Sequence, residues 1–214
     1  MAENEMRCKG GRVRTRRATA DDLPVLAQIH KMAYSPSHFT ALMSDEILER
    51  YYSYFLDGGS EIWLALGDAN EGEVKNGIVG EAQGFAVFGE GIPERITIFK
   101  RECFNDIVFT SLRHPWSAVR KALVTLLARL SRQPTCSQAK FLLLSIAVAV
   151  PRCGVGSCLL DVMLNAASRR CCRTVGLYVN ADNVSAVNAY FGAGFVVKDC
   201  RSGQFYMEHD FVET

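Results

Sequence analysis

The sequence lacks any apolar run long enough to span a bilayer. Its longest, Phe141 to Val150, falls far short of the ~20 residues that a membrane-crossing helix needs. Its N-terminal stretch, Met1-Ala-Glu-Asn-Glu5, is acidic and has no apolar core, so it does not read as a secretion signal and none is expected. Charge of either sign is not in excess, since 24 Lys and Arg oppose 23 Asp and Glu for a net +1. No global field therefore calls for nucleic acid or for stable membrane insertion. No repeat or low-complexity tract is visible. The eight cysteines include no CxxC pair and no Cys/His ligand spacing, so no metal site is expected. Without a secretion signal their thiols are expected to stay free. These absences point to a cytoplasmic protein.

What is present suits one domain. A chain of 214 residues, 49% apolar and 22% charged, can bury a sizeable core. Residues 1–10 read as a flexible N-terminus, with one domain over 11–214. Arg12 to Arg16 alternates like a strand. Thr19 and Asp22 form a capping-box pattern ahead of Leu23, Leu26, Ile29, His30 and Ala33, which recur at helical spacing. Ser44, with Asp45 and Glu46 behind it, opens a second helix that Gly58-Gly59 stops. Glu61 to Leu66 reads as a strand. A polar loop over Gly67 to Gly77 joins it to a long strand, Ile78 to Phe88, in a hairpin.

The C-terminal third carries the chemistry. Apolar Phe141 to Val148 flows into the loop Pro151-Arg-Cys-Gly-Val-Gly-Ser157 and then into a helical segment, Cys158 to Cys171. A second strand, Thr174 to Val179, leads to Asn183-Val-Ser-Ala-Val-Asn-Ala-Tyr-Phe-Gly-Ala-Gly-Phe195. A glycine loop feeding a helix N-terminus is a natural phosphate cradle. Backbone N–H groups converge there, the helix dipole favours anions, and absent Cβ atoms allow close approach.

This arrangement resembles the GNAT superfamily of acyl-CoA-dependent N-acyltransferases. Those proteins share a splayed strand, a loop of the form Gln/Arg-x-x-Gly-x-Gly/Ala and then a helix, followed by Asn-x-x-Ala-x-x-x-Tyr-x-x-x-Gly-Phe. Gly154 and Gly156 match the loop; Asn183, Ala186, Tyr190, Gly194 and Phe195 match the second motif. One departure is Pro151, which stands where the family has Gln or Arg, the basic residue here being Arg152. Pro has no N–H to offer a phosphate. The resemblance covers roughly Val13 to Phe211.

The resemblance implies an α/β (α+β) fold with a mixed, mostly antiparallel twisted sheet flanked by helices. It implies an acetyltransferase that moves an acetyl group from acetyl-CoA to a primary amine of a small molecule, an amino sugar among the options. The attack would be direct, in a ternary complex, with no metal. Ile146, Ala147 and Val148 would meet the pantetheine arm, and Arg152, Cys153, Gly154, Val155, Gly156 and Ser157 the pyrophosphate. Asn183 and Ala186 would border the cofactor. Tyr190 would protonate the departing sulfur. Glu81 and Ser145, on strands beside the splay, are candidates for accepting the amine proton, as are His38, Tyr34 and the Tyr51, Tyr52 and Tyr54 group. Two other classes fit the same motifs: a protein or peptide N-acetyltransferase, and an acyl-CoA-binding sensor without turnover. An acyl-Cys153 route is a further option, because helix N-termini and cations stabilise thiolates.

One segment departs from the pattern. About 50 residues, 90–140, separate the third and fourth strands of the motif order, where the family has a short turn. Leu123, Leu126, Leu127 and Leu130 fall on one helical face, so one or two added helices are expected between Ile107 and Arg132. A packed flap, a lid over the acceptor pocket, a homodimer contact and a membrane-visiting basic face are the roles open to it.

Overall fold

A computed structural model describes residues 5–7, 13–35, 38–67, 82–113, 139–149 and 153–211. The strands are β1 (Glu5–Arg7), β2 (Val13–Arg17), β3 (Ser60–Gly67), β4 (Ala82–Gly89), β5 (Phe141–Val148), β6 (Thr174–Asn180), β7 (Val196–Arg201) and β8 (Gln204–Asp210). The α-helices among the described residues are α1 (Leu23–Ala33), α2 (Asp45–Ser53), α3 (Ile92–Glu102), α4 (Phe104–Arg113), α5 (Val155–Arg169) and α6 (Val184–Gly192). The strands make one sheet in the order β1-β2-β3-β4-β5-β6-β8-β7. Every neighbouring pair is antiparallel except β5 and β6, which run parallel and are joined by the crossover helix α5. None of the described helices is long and apolar enough to cross a membrane.

The helix starts follow from their caps. The Asp22 carboxylate takes the Thr19 N–H at 2.8 Å and a two-pronged ion pair from Arg16 at 2.7 and 2.8 Å. That pins the end of β2 to the turn that opens α1. Ser44 accepts the Ile47 N–H at 3.4 Å and caps α2. Between α2 and β3, Gly58 (φ +67°) and Gly59 (φ +98°) take a left-handed path that side chains disfavour, so the stop signal acts through backbone conformation.

The sheet has a core on each face. Phe141, Leu143, Val155, Leu159, Val162, Met163, Val175, Leu177 and Phe195 pack together under α5. Leu26, Ile29, Tyr52, Phe55, Leu64, Phe85, Val87 and Leu142 pack under α1 and α2. Burying a side chain of this size contributes roughly 1.5–3 kcal/mol each before entropy is counted, so both layers are needed to hold the sheet.

Two expectations change. The helices that follow β4 begin at Ile92, well before Ile107. Gly91 (φ +69°) turns the chain, a proline occupies the first turn, and Ile92, Ile96, Phe99 and Cys103 face inward. Phe99 stacks edge-on with Tyr51 at 4.9 Å, so α3 belongs to the main body. The predicted Leu123–Leu130 face lies outside the described residues, as do Ile78 to Glu81 of the predicted long strand. Cys158, in the first turn of α5, is disulfide-bonded, contrary to the expectation of free thiols.

Candidate functional site

The sheet opens at one place. β5 and β6 pair only over Phe141–Leu143 and Val175–Leu177. Beyond that, the rest of β5 has no partner strand on its β6 side among the described residues, and β6 continues against β8. The opening starts at a bulge: Val87 faces Ser145 and Phe88 faces Leu143, which leaves Leu144 as the extra residue. The bulge turns consecutive side chains to the same face. Leu142, Leu144 and Ala147 pack on the α1/α2 side, whereas Ile146 and Val148 pack on the α5 side. Ser145 is thereby brought to the α1/α2 side.

Backbone direction follows from the same ladder. The Ala149 N–H donates to the Gln83 carbonyl at 2.8 Å. Antiparallel alternation then assigns the Ala147 backbone groups to β4 as well, and turns those of Ile146 and Val148 toward the opening. Of the three residues predicted to meet a pantetheine arm, Ile146 and Val148 thus turn their N–H and C=O groups to the opening, with no strand partner there among the described residues.

The glycine loop lies beside this edge. Gly154 (φ +78°) caps α5 from the left-handed region, and a Cβ built on it would meet nothing within 4 Å. A Cβ on Gly156 would touch only Val148 Cγ2, at 3.8 Å. The first backbone bond into the helix runs from the Cys158 N–H to the Gly154 carbonyl at 3.0 Å. The N–H groups of Val155, Gly156 and Ser157 therefore have no acceptor within the helix. Val155 is buried and anchors the turn, while Cys153 and Ser157 are exposed. Arg152 lies outside the described residues. An open, Cβ-free cradle with outward amides beside a strand edge fits a pyrophosphate joined to an extended amide arm.

The second motif frames the other wall. Asn183 accepts the Ala186 N–H at 3.2 Å, an N-cap for α6. Gly194 (φ +84°) ends that helix, and a side chain there would press on the His209 ring at 3.2 Å. The Phe195 N–H closes on the Tyr190 carbonyl at 3.0 Å, and the two rings stack 5.9 Å apart. Burial raises the Tyr190 phenol pKa, with a further push from nearby Tyr34. It stays a proton-bearing donor throughout the neutral range.

Four elements meet around these groups. Tyr34 at the end of α1 interacts electrostatically with Tyr190 on α6 and with Tyr52 on α2. Ser145 on β5 lies beside Tyr34 and Tyr52 and slightly eases the upward shift that burial imposes on both phenols. Neither contact has hydrogen-bond geometry, however, and Ser145 Oγ is buried without a partner. Sequence reasoning passed over His30 and Thr40. His30 Nδ1 lies 2.6 Å from the Tyr52 hydroxyl, and its Nε2 2.8 Å from Thr40 Oγ1. Thr40 Oγ1 in turn lies 2.8 Å from His38 Nδ1. Burial, with the charges of His38 and Lys31, lowers the His30 pKa to about 4, so its ring is neutral. The available signal was a histidine on the apolar stripe of α1.

Of the other predicted residues, Glu81 lies outside the described positions. Tyr54 is committed to Glu102 and Tyr51 to the aromatic contacts with Phe55 and Phe99. No group of three or more His, Cys, Asp or Glu is placed to hold a metal ion among the described residues.

No protein-family model and no curated protein matches the sequence. Solved structures do match the fold. The PaiA N-acetyltransferase of Thermoplasma acidophilum, in complex with coenzyme A, is 14% identical with a TM-score of 0.57, over 93% of this chain and 99% of that one. YncA, a putative acetyltransferase from Salmonella typhimurium with acetyl-CoA, is 14% identical with a TM-score of 0.55, over 94% and 95%. The ribosomal-protein-alanine N-acetyltransferase of Brucella melitensis is 16% identical with a TM-score of 0.53, over 92% and 99%. The chain has the GNAT fold, a mixed and mostly antiparallel open sheet flanked by helices.

Proposed function

We propose that this protein is an N-acetyltransferase that uses acetyl-CoA to acetylate a primary amine of a small molecule, amino sugars among them. The observation that carries the reading is the opening between β5 and β6, with the backbone groups of Ile146 and Val148 turned to it on one edge, the Gly154–Gly156 cradle beside it, and Tyr190 on the facing helix. The GNAT structures solved with coenzyme A or acetyl-CoA support it.

Acetyl-CoA supplies a thioester whose carbonyl accepts an amine and whose sulfur departs as a thiolate. The chain's own residues do the rest. Val155, Gly156 and Ser157 amides hold a pyrophosphate at the positive end of α5. Ile146 and Val148 bind the extended arm as an added strand would be bound. The Val148 N–H faces the opening and can stabilise charge developing on the thioester oxygen, an effect of roughly 3 kcal/mol per donor in other enzymes. The Tyr190 hydroxyl holds its proton at neutral pH and can give it to the departing sulfur, whose reference pKa of ~8.5 lies below that of a phenol. That uphill transfer is offset when the products separate.

The acceptor would enter on the α1/α2 side, where Tyr34 and Tyr52 lie beside Ser145 of β5. These aromatic and hydroxyl groups suit a compact polar amine. A peptide N-acetyltransferase is the second reading, favoured by the likeness to the ribosomal-protein-alanine enzyme. Free-thiol release from acetyl-CoA, measured with glucosamine, short diamines and an alanine-initiated peptide, tests both. Turnover with the small amines supports the first reading. Turnover with the peptide alone favours the second, and coenzyme A binding without turnover on any acceptor overturns both.

A further inference from the structure

We infer that Tyr52, His30, Thr40 and His38 form a proton relay that carries the acceptor's excess proton from the opening in the sheet to solvent. The inference rests on the acetyltransferase reading and extends it to an exit route for the proton. The chain of contacts is continuous: Tyr52 hydroxyl to His30 Nδ1 at 2.6 Å, His30 Nε2 to Thr40 Oγ1 at 2.8 Å, and Thr40 Oγ1 to His38 Nδ1 at 2.8 Å. It begins in the core, where Tyr52 is 1% exposed and His30 3%, and ends at His38 on the surface.

One assignment of hydrogens satisfies every link. Neutral His30 accepts at Nδ1 from the Tyr52 hydroxyl and donates from Nε2 to Thr40. The Thr40 hydroxyl, having accepted, uses its own hydrogen on His38 Nδ1. Each group then gives one proton and receives one, so all the bonds can shift in the same direction. At the inner end Ser145 Oγ lies beside Tyr52, buried and without a partner, and so is free to accept. His30 does not trap the proton, because burial, with the nearby charges of His38 and Lys31, disfavours its cationic form where it sits against Tyr34 and Tyr52.

The reaction needs such an exit. An amine at neutral pH arrives as an ammonium ion and must lose one proton before its nitrogen can attack. That proton passes to Ser145 Oγ, whose side chain turns to bring its own hydrogen onto the neighbouring Tyr52 oxygen; Tyr52 then gives its proton to His30, His30 to Thr40, and Thr40 to His38, which releases it to water. When the carbon–nitrogen bond forms and the carbon–sulfur bond breaks, the nitrogen loses a second proton and the sulfur gains one. The net release is one proton per acetyl group transferred, and the relay carries it. His30, Thr40 and His38 are positioning residues, acting through Tyr52 and Ser145.

Three variants test this in the intact protein, with acetyl-CoA and the best acceptor from the amine panel. T40V keeps the shape of Thr40 and removes the linking hydroxyl; T40S restores it; H38A removes an exposed terminal acceptor. The expected result is that T40V and H38A lower kcat by roughly 10²-fold, the low end for a lost proton transfer. Acceptor KM and coenzyme A affinity should stay within about twofold, since binding groups are untouched. T40S should recover most of the rate, and imidazole in the buffer should rescue H38A but not T40V. Wild-type rates in both T40V and H38A, or equal losses in T40S and T40V with no imidazole rescue of H38A, overturn the relay. Should T40V fail to fold, H38A and its rescue decide alone. Absence of thiol release by the wild-type protein sinks the transferase reading and the relay together, whereas turnover that ignores these variants sinks only the relay.

Discussion

Phenylalanine at position 190 would keep the ring that stacks on Phe195 and remove only the hydroxyl. Tyr190→Phe should therefore leave thermal stability and coenzyme A affinity almost unchanged while kcat falls by roughly 10²–10⁴, the usual range for a lost general acid. The acceptor KM should move less, because the bond matters mainly in the transition state. An acyl donor with a more acidic thiol should recover part of the rate, since its sulfur departs without help. Near wild-type turnover with acetyl-CoA would leave Tyr190 as a packed aromatic. Residues of this kind were legible in the sequence because a fixed spacing from Asn183 to Phe195 held them. His30 was not. A histidine among Leu26, Ile29 and Ala33 reads as a helix-face residue until Tyr52 and Thr40 arrive from other elements to fill both ring nitrogens.

Helix α5 and strand β5 make their site jointly, which gives a variant with opposite effects on fold and binding. Gly156 is helical, and a Cβ there would make only an ordinary contact with Val148 at 3.8 Å. Gly156→Asp should accordingly hold or slightly raise the melting temperature, since an acidic residue in the first helical turn is favoured by about 0.3–1 kcal/mol. The same carboxylate sits where the proposed pyrophosphate site lies, so calorimetry should show coenzyme A affinity reduced at least tenfold, about 1.4 kcal/mol. Unchanged affinity would remove the phosphate role from the cradle. The loop and both flanking strands could be read from glycine placement and apolar runs, because those signals are local. The bulge at Leu144 could not, since it exists only in the register against Val87 and Phe88. Helix α3 lay between these cases. Ile92, Ile96, Phe99 and Cys103 recur at helical spacing after Gly91, a pattern outweighed in the sequence by the stronger leucine stripe from Leu123 to Leu130.

At the scale of the whole molecule, the buried neutral His30 ties folding to pH. Unfolding releases its ring to a reference pKa of 6.5, whereas in the fold burial holds it at about 4. Between those values the unfolded chain binds a proton that the folded one does not, so stability falls as pH drops through that window and levels off below it. At about 1.4 kcal/mol per pH unit the loss approaches 3 kcal/mol, a large share of the 5–15 kcal/mol typical of a domain. Carboxylates contribute acid loss of their own. Asp22, held below its ordinary value chiefly by the Arg16 hydrogen bonds, gives up its share mainly below that range, as pH falls past the ordinary carboxylate value toward its lowered one. His30→Gln isolates the histidine, because the amide can still bond to Tyr52 and Thr40 but does not titrate, while Asp22 is common to both proteins. Urea unfolding at pH 7, 5.5 and 4 should show the wild-type protein losing roughly 3 kcal/mol more than the variant across the series. The variant's lower starting stability leaves that difference in slope unaffected. Parallel losses in the two proteins would place a charged imidazole in the folded core and remove the neutral His30 on which the continuous hydrogen-bond chain to His38 depends.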